Sequence, residues 1–149
     1  MTALDSTTAS SRTAASVLTE PLRRRQRSVL AVGALVAAAA HVPVIGPHLD
    51  EAPYMGVLFV VLTVGCAVLA LAVLVRDTAA VYGLAVLTCG LAVLGYVATR
   101  VVAFPMLADD VGNWLEPLGV VSVLSESVVV VTAIAALLGA RRPTGRSQS

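Results

Sequence analysis

Lysine is absent from the 149 residues, and all ten basic side chains are arginines. Nine of them lie near the ends of the chain or in one short turn: Arg12, Arg23, Arg24, Arg25, Arg27, Arg76, Arg141, Arg142 and Arg146. The basic run around Arg24 abuts an apolar segment directly, so it reads as a membrane-flanking anchor and not as a nucleic-acid patch. Charge of either sign is scarce. Charged residues make up 13% of the chain, about half of the roughly 25% usual in soluble domains. Cysteine is limited to Cys66 and Cys89, too few for the disulfide scaffold of a small secreted domain. Both read as small hydrophobic residues at mid-depth of neighbouring helices, close enough to meet; a redox pair is the alternative. No HExxH, CxxC, nucleotide-binding, nucleophile-elbow or kinase motif occurs, so no catalytic residue is assigned.

What the chain has instead is apolar length. Hydrophobic residues make up 58%, against about 45–50% in soluble domains, and the mean hydropathy is +0.90. The excess lies in four blocks, about 28–45, 54–75, 79–103 and 115–139. Each is near the ~20 residues that cross a bilayer as a helix. Their valines would favour strands in water, but in lipid every backbone N–H and C=O must be satisfied within its segment, and helix wins. The expected fold is all-α: a four-helix transmembrane bundle over residues 28–139, between an unstructured tail at 1–27 and another at 140–149.

The connections agree. Arg76–Thr78 reads as a tight turn, and GPHLDEAP (Gly46–Pro53) and FPMLADDVGNWLEP (Phe104–Pro117) read as loops. Pro117 suits the first turn of the fourth helix, where its missing N–H costs nothing. Trp114 and Tyr54 sit at block edges, as interfacial aromatics do. In an even-numbered bundle the two tails and the Arg76 turn share one side, with nine arginines. The other two loops hold none, but carry Asp50, Glu51, Asp109, Asp110 and Glu116. The positive-inside rule then places both termini in the cytoplasm, in a plasma-membrane protein. Two further readings stand beside this one. Arg23–Arg27 followed by AAAAH looks like a cleavable signal. The halves also look alike, with His41, Asp50-Glu51, Pro53 and Gly56 answering Arg100, Asp109-Asp110, Pro117 and Gly119, as a duplicated hairpin would.

Inside the blocks, polar residues stand out. Glu126 lies in a run of valines and serines, about 14 residues or roughly 21 Å from the inner end of its helix. His41 lies at a similar depth in the first helix. Arg100 sits near the outer end of the third, with side-chain lean bringing it and Glu126 together; Tyr96 and Ser122 lie one turn away. The expected arrangement is a polar cluster of His41, Tyr96, Arg100, Ser122 and Glu126 centred on an Arg100–Glu126 ion pair. Its bland role is a clamp that fixes helix order; its functional role is a proton, metal or cofactor site. A metal set of His41, His48, Asp50, Glu51, Asp109 and Asp110 would take a divalent ion at the outer surface, though Pro43 and Pro47 are expected to break the helix between the histidines. A capped acidic loop is the plain reading of that segment. Haem b fits less well, since both histidines lie in one segment. No cofactor is assigned beyond that candidate metal. Gly65, Gly83, Gly90 and Gly95 are expected at close helix contacts.

The phrases HLDEAPYMGVLF (His48–Phe59) and DDVGNWLEPLGVVS (Asp109–Ser122) resemble phrases in small uncharacterised four-helix integral membrane proteins of bacteria. The resemblance covers most of residues 28–139 and implies the architecture alone. The expected function is that of a non-enzymatic accessory or structural membrane component, working as a homo-oligomer or in a larger membrane complex. The alternatives are a metal- or haem-linked oxidoreductase or sensor and a small proton-coupled carrier.

Overall fold

In lipid a helix pairs its own backbone groups, and the sequence supplies four segments with few polar interruptions. In the computed structural model, which describes the backbone of residues 5–140 and the side chains of residues 23–140, these become α1 (Asp5–Glu51), α2 (Pro53–Val75), α3 (Ala79–Val101) and α4 (Pro117–Ala140). The stretches of each that are long and apolar enough to cross a membrane are Arg23–Glu51, Pro53–Val75, Ala79–Val101 and Pro117–Ala140. The chain is thus an all-α four-helix bundle with the character of a multi-pass membrane protein. Helix α1 begins well before residue 28, and the two expected tails fall largely outside the described side chains.

Each helix packs on its sequence neighbours, and α4 returns to α1, closing the ring. The core is narrow, built from Leu30, Ala34 and Ala37 of α1, Leu69 and Val73 of α2, and Val129 of α4. The alanine face of α1 and Gly33 permit close approach: a Cβ at Gly33 would stand 2.7 Å from Val129 Cγ2 and 3.3 Å from the Ser125 carbonyl oxygen. Large aliphatic side chains point outward instead, among them Val61, Leu71, Leu91 and Leu94. In water such a surface would drive aggregation; around a transmembrane bundle it meets lipid.

Three local expectations are corrected. Pro43 and Pro47 lie inside α1, and the helix runs unbroken to Glu51. Each proline removes one N–H from the ladder, but leaving the helix at membrane depth would orphan more groups than the two prolines do. The expected Gly46–Pro53 loop therefore shrinks to one residue. Ala52, with φ −137° and ψ 82°, donates its N–H to the His48 carbonyl, and its own carbonyl accepts from Met55 and Gly56. A Cβ at Gly56 would stand 2.6 Å from Leu49 Cγ and 2.7 Å from the Leu49 nitrogen, so this joint is glycine-dependent. Of the four glycines expected at helix contacts, Gly65 meets α3, with Thr88 Cγ2 3.8 Å from its would-be Cβ, whereas Gly83, Gly90 and Gly95 face open space.

The other connections follow expectation. Arg76–Thr78 turns α2 into α3, with Thr78 capping Val81 N–H. Between α3 and α4 the chain folds back as a cap. It pairs Phe104 with Leu107, forms a 3₁₀ turn at Ala108–Asp110, and reverses at Gly112, φ 81°. Glu116 caps α4 by accepting from the Leu118 and Gly119 N–H groups, with Pro117 as the first helical residue.

Candidate functional site: a buried histidine–glutamate pair

The polar side chains of the bundle fall into three layers. At the arginine-rich end, positions 23 and 27 lie one turn apart on the face of α1 toward α2. Arg27 Nε donates to the Val73 carbonyl at 3.0 Å, and its guanidinium also reaches the Leu74 carbonyl. These are carbonyls of the last turn of α2, which has no helical donor for them and carries the negative end of the helix dipole. Arg23 pairs with Asp77 at 3.5 Å, and Tyr82 donates to the same carboxylate at 2.8 Å.

The middle layer is the candidate site. His41 of α1 is 5% exposed, and Ser122 and Glu126 of α4 are 5% and 1% exposed. His41 Nε2 and Glu126 Oε1 are 3.0 Å apart, and Ser122 Oγ lies 3.2 Å from the same nitrogen. Residues 122 and 126 are one turn apart, so α4 presents both to one imidazole. One proton lies between Nε2 and Oε1. It belongs to the imidazole when Glu126 is ionised, and to the carboxyl when both groups are neutral. Either way the hydrogen bond satisfies both atoms, so neither polar group is left without a partner. That answers the cost of placing a lone carboxylate in a run of valines, which is about 2.5–3.5 kcal/mol for a charge at a helix centre.

Cys66 and Cys89 lie buried just across the core and free. Cys66 of α2 and Cys89 of α3 belong to the same buried core cluster, at the mid-depth expected of them.

The layer at the opposite end from the arginine-rich turn holds Arg100, and here the structure overturns the expected ion pair. Arg100 does not meet Glu126. Its Nη1 pairs with Asp110 Oδ1 at 2.6 Å and donates to the Asp110 carbonyl at 3.1 Å. The guanidinium lies over the Tyr96 ring, 4.6 Å from its centroid, and the Tyr96 hydroxyl donates to the Trp114 carbonyl at 2.8 Å. The physical reason is the fold-back of the loop: Gly112 N–H donates to the Arg100 carbonyl at 3.0 Å, which brings Asp110 onto the end of α3. The expected five-residue cluster is therefore two separate ones: His41 with Ser122 and Glu126, and Arg100 with Tyr96. Asp110 is the residue that sequence reasoning placed in the wrong role. The Gly112-Asn113 turn signal beside it was the hint that this segment reverses.

The candidate metal ligands are not gathered. Among the described residues no three His, Cys, Asp or Glu side chains converge as a metal-binding group. Asp110 is committed to Arg100 and His41 to Glu126. His48 Nδ1 donates to the Val44 carbonyl at 2.8 Å, and Asp50 and Glu51 point outward. Because α1 is continuous, His41 and His48 do share one face, and the Phe59 ring of α2 lies against both, at 5.4 and 4.8 Å between centroids.

Compared with protein-family models, curated proteins and solved structures, the chain matches none.

Proposed function

We propose that the protein is a non-enzymatic accessory or structural component of the plasma membrane, with both termini in the cytoplasm, and that His41–Glu126 is its intramembrane clamp. The observation that carries this reading is the mutual satisfaction of the pair. Nε2 and Oε1 are spent on each other, Ser122 completes the contact, and the two helices joined are the first and the last. A clamp of this kind fixes which helices are neighbours, a role that the apolar surfaces alone do not specify in lipid. The orientation is supported by the arginines at one end of the bundle and the acids at the other.

A double-mutant cycle on thermal unfolding in detergent tests the clamp. His41→Leu and Glu126→Leu should each destabilise by about 1–3 kcal/mol. That figure lies above the ~0.6 kcal/mol average of interhelical hydrogen bonds in membranes, because each variant leaves a polar group buried without its partner. The double variant should cost less than the sum. Single variants as stable as wild type would sink the clamp.

A second reading, a small proton-coupled carrier, draws on the single proton held between Nε2 and Oε1 at membrane depth. It expects proton flux in proteoliposomes that Glu126→Gln abolishes, and flux equal to that of empty vesicles would dispose of it.

A further inference from the structure

A shallow groove of about 350 Å³ runs down the outer side of the α1–α4 contact. Helix α1 lines it with Ser28, Val29, Val32 and Val36, and α4 lines it with Ser125 and Val128. Almost all of its wall is carbon. It spans about eight residues of α1, roughly 12 Å of helix, close to the depth of one bilayer leaflet's hydrocarbon. It starts beside the arginine-rich end and reaches Ser125 on α4, the neighbour of Glu126.

The arginines at that end divide between two faces. Arg23 and Arg27 turn toward α2 and are engaged there. Arg24 and Arg25 lie one helical turn before Ser28 and Val29, the first groove residues, and so stand on the groove side. Both are exposed, and among the described residues neither has an acidic partner. Side chains on a helix lean toward its N-terminus, which directs these two guanidinium groups out of the hydrocarbon and into the headgroup layer. A guanidinium pair above an apolar slot is complementary to one ligand chemistry: a phosphate diester attached to acyl chains.

We infer that this groove is a binding site for an anionic phospholipid of the leaflet at the arginine-rich end, with the headgroup phosphate on Arg24 and Arg25 and one acyl chain along Val29, Val32 and Val36. The inference rests on the membrane reading and is independent of the His41–Glu126 clamp. A site of this kind ties the bundle to lipid of one charge class, beyond the general attraction of basic ends to anionic surfaces.

The full chain, purified in neutral detergent, is titrated with phosphatidylglycerol and separately with phosphatidylcholine of the same acyl chains, and bound lipid is read by native mass spectrometry. Phosphatidylglycerol should bind saturably, one per chain, at least tenfold more tightly than phosphatidylcholine. Arg24→Gln with Arg25→Gln should erase the preference. Arg76→Gln, at the same end but away from the groove, should keep it. Val32→Trp, at an exposed groove position, should weaken both lipids, and Glu126→Leu should keep the selectivity whatever it does to stability. Glycerol phosphate, the headgroup without chains, should not compete. Equal binding of the two lipids by the unmodified chain overturns the proposal, whatever the variants do. So does an equal loss in Arg76→Gln, unchanged binding in Val32→Trp, or displacement by glycerol phosphate, which would mark a free-phosphate site instead.

Discussion

Arg100 shows how a single side chain is held at the end of an apolar helix. It is 7% exposed, yet it is paired from outside the helical core, by a loop residue ten positions later. Its Nε lacks a hydrogen-bond partner, so the Asp110 contacts and the Tyr96 face carry its compensation. Asp110→Asn keeps the backbone carbonyl contact but removes the charge, and should cost about 1.5–3 kcal/mol, the range for hydrogen bonds to charged groups. Thermal unfolding in detergent measures it. Arg100→Lys should also destabilise, since an ammonium neither stacks on Tyr96 nor matches the guanidinium geometry. Arg100→Gln and Glu126→Gln should be additive, because the two residues share no partner; a coupling above ~0.5 kcal/mol would restore the pair that the sequence suggested. At this scale the sequence was legible in depth but not in direction. Counting residues put His41 and Glu126 in one layer, with Ser122 one turn away on the same face, because helix rise is fixed. It misassigned Arg100, because its partner arrives through a loop reversal that helical arithmetic does not contain.

Among the helices, the joint at Ala52 and the glycines beside it separate tight contacts from open ones. Gly56→Ala would drive a methyl group into Leu49, backbone included, and should destabilise by about 1–3 kcal/mol, as overpacking does. Gly90→Ala meets open space and should be neutral or stabilise by up to about 1 kcal/mol through helix propensity. Midpoints from the same unfolding assay decide both, and a reversal of the order would mean that the α1–α2 joint is looser than described. The four helices and the Arg76 turn could be read from hydropathy because lipid penalises every other backbone conformation. That same penalty hid the fate of Pro43 and Pro47. Their rule, learned in water, says that the chain leaves the helix; at membrane depth leaving costs more than staying. Gly83, Gly90 and Gly95 failed for the complementary reason. Small residues permit close approach, but whether a neighbour takes it up depends on which face of the helix they occupy.

For the molecule as a whole, nine arginines set against five outer acids predict its orientation. A reporter fused after Ser149 should behave as cytoplasmic, and one inserted at Asn113 as external. The opposite pattern would invert the proposed topology and move the lipid groove to the other leaflet. The class of the protein was open to reading because composition alone separates lipid-facing from water-facing chains. Its role was not, since the buried His41–Glu126 pair suits a scaffold and a proton path with the same atoms.

The separation of His41 and Glu126 by 85 positions has a consequence in time. A ribosome adding about 5–20 residues per second completes those 85 positions in roughly 4–17 s. Throughout that interval the first helix is already made, while the carboxylate that will satisfy its imidazole does not yet exist. The nascent protein therefore carries a recognisable mark of incompleteness, erased when the last helix arrives. A chain ending at Asp110 should keep that mark and be degraded faster than the full-length protein in a pulse-chase experiment. His41→Leu in the same truncated chain should lengthen its half-life, and an unchanged half-life would show that the unpaired imidazole is not what the cell detects.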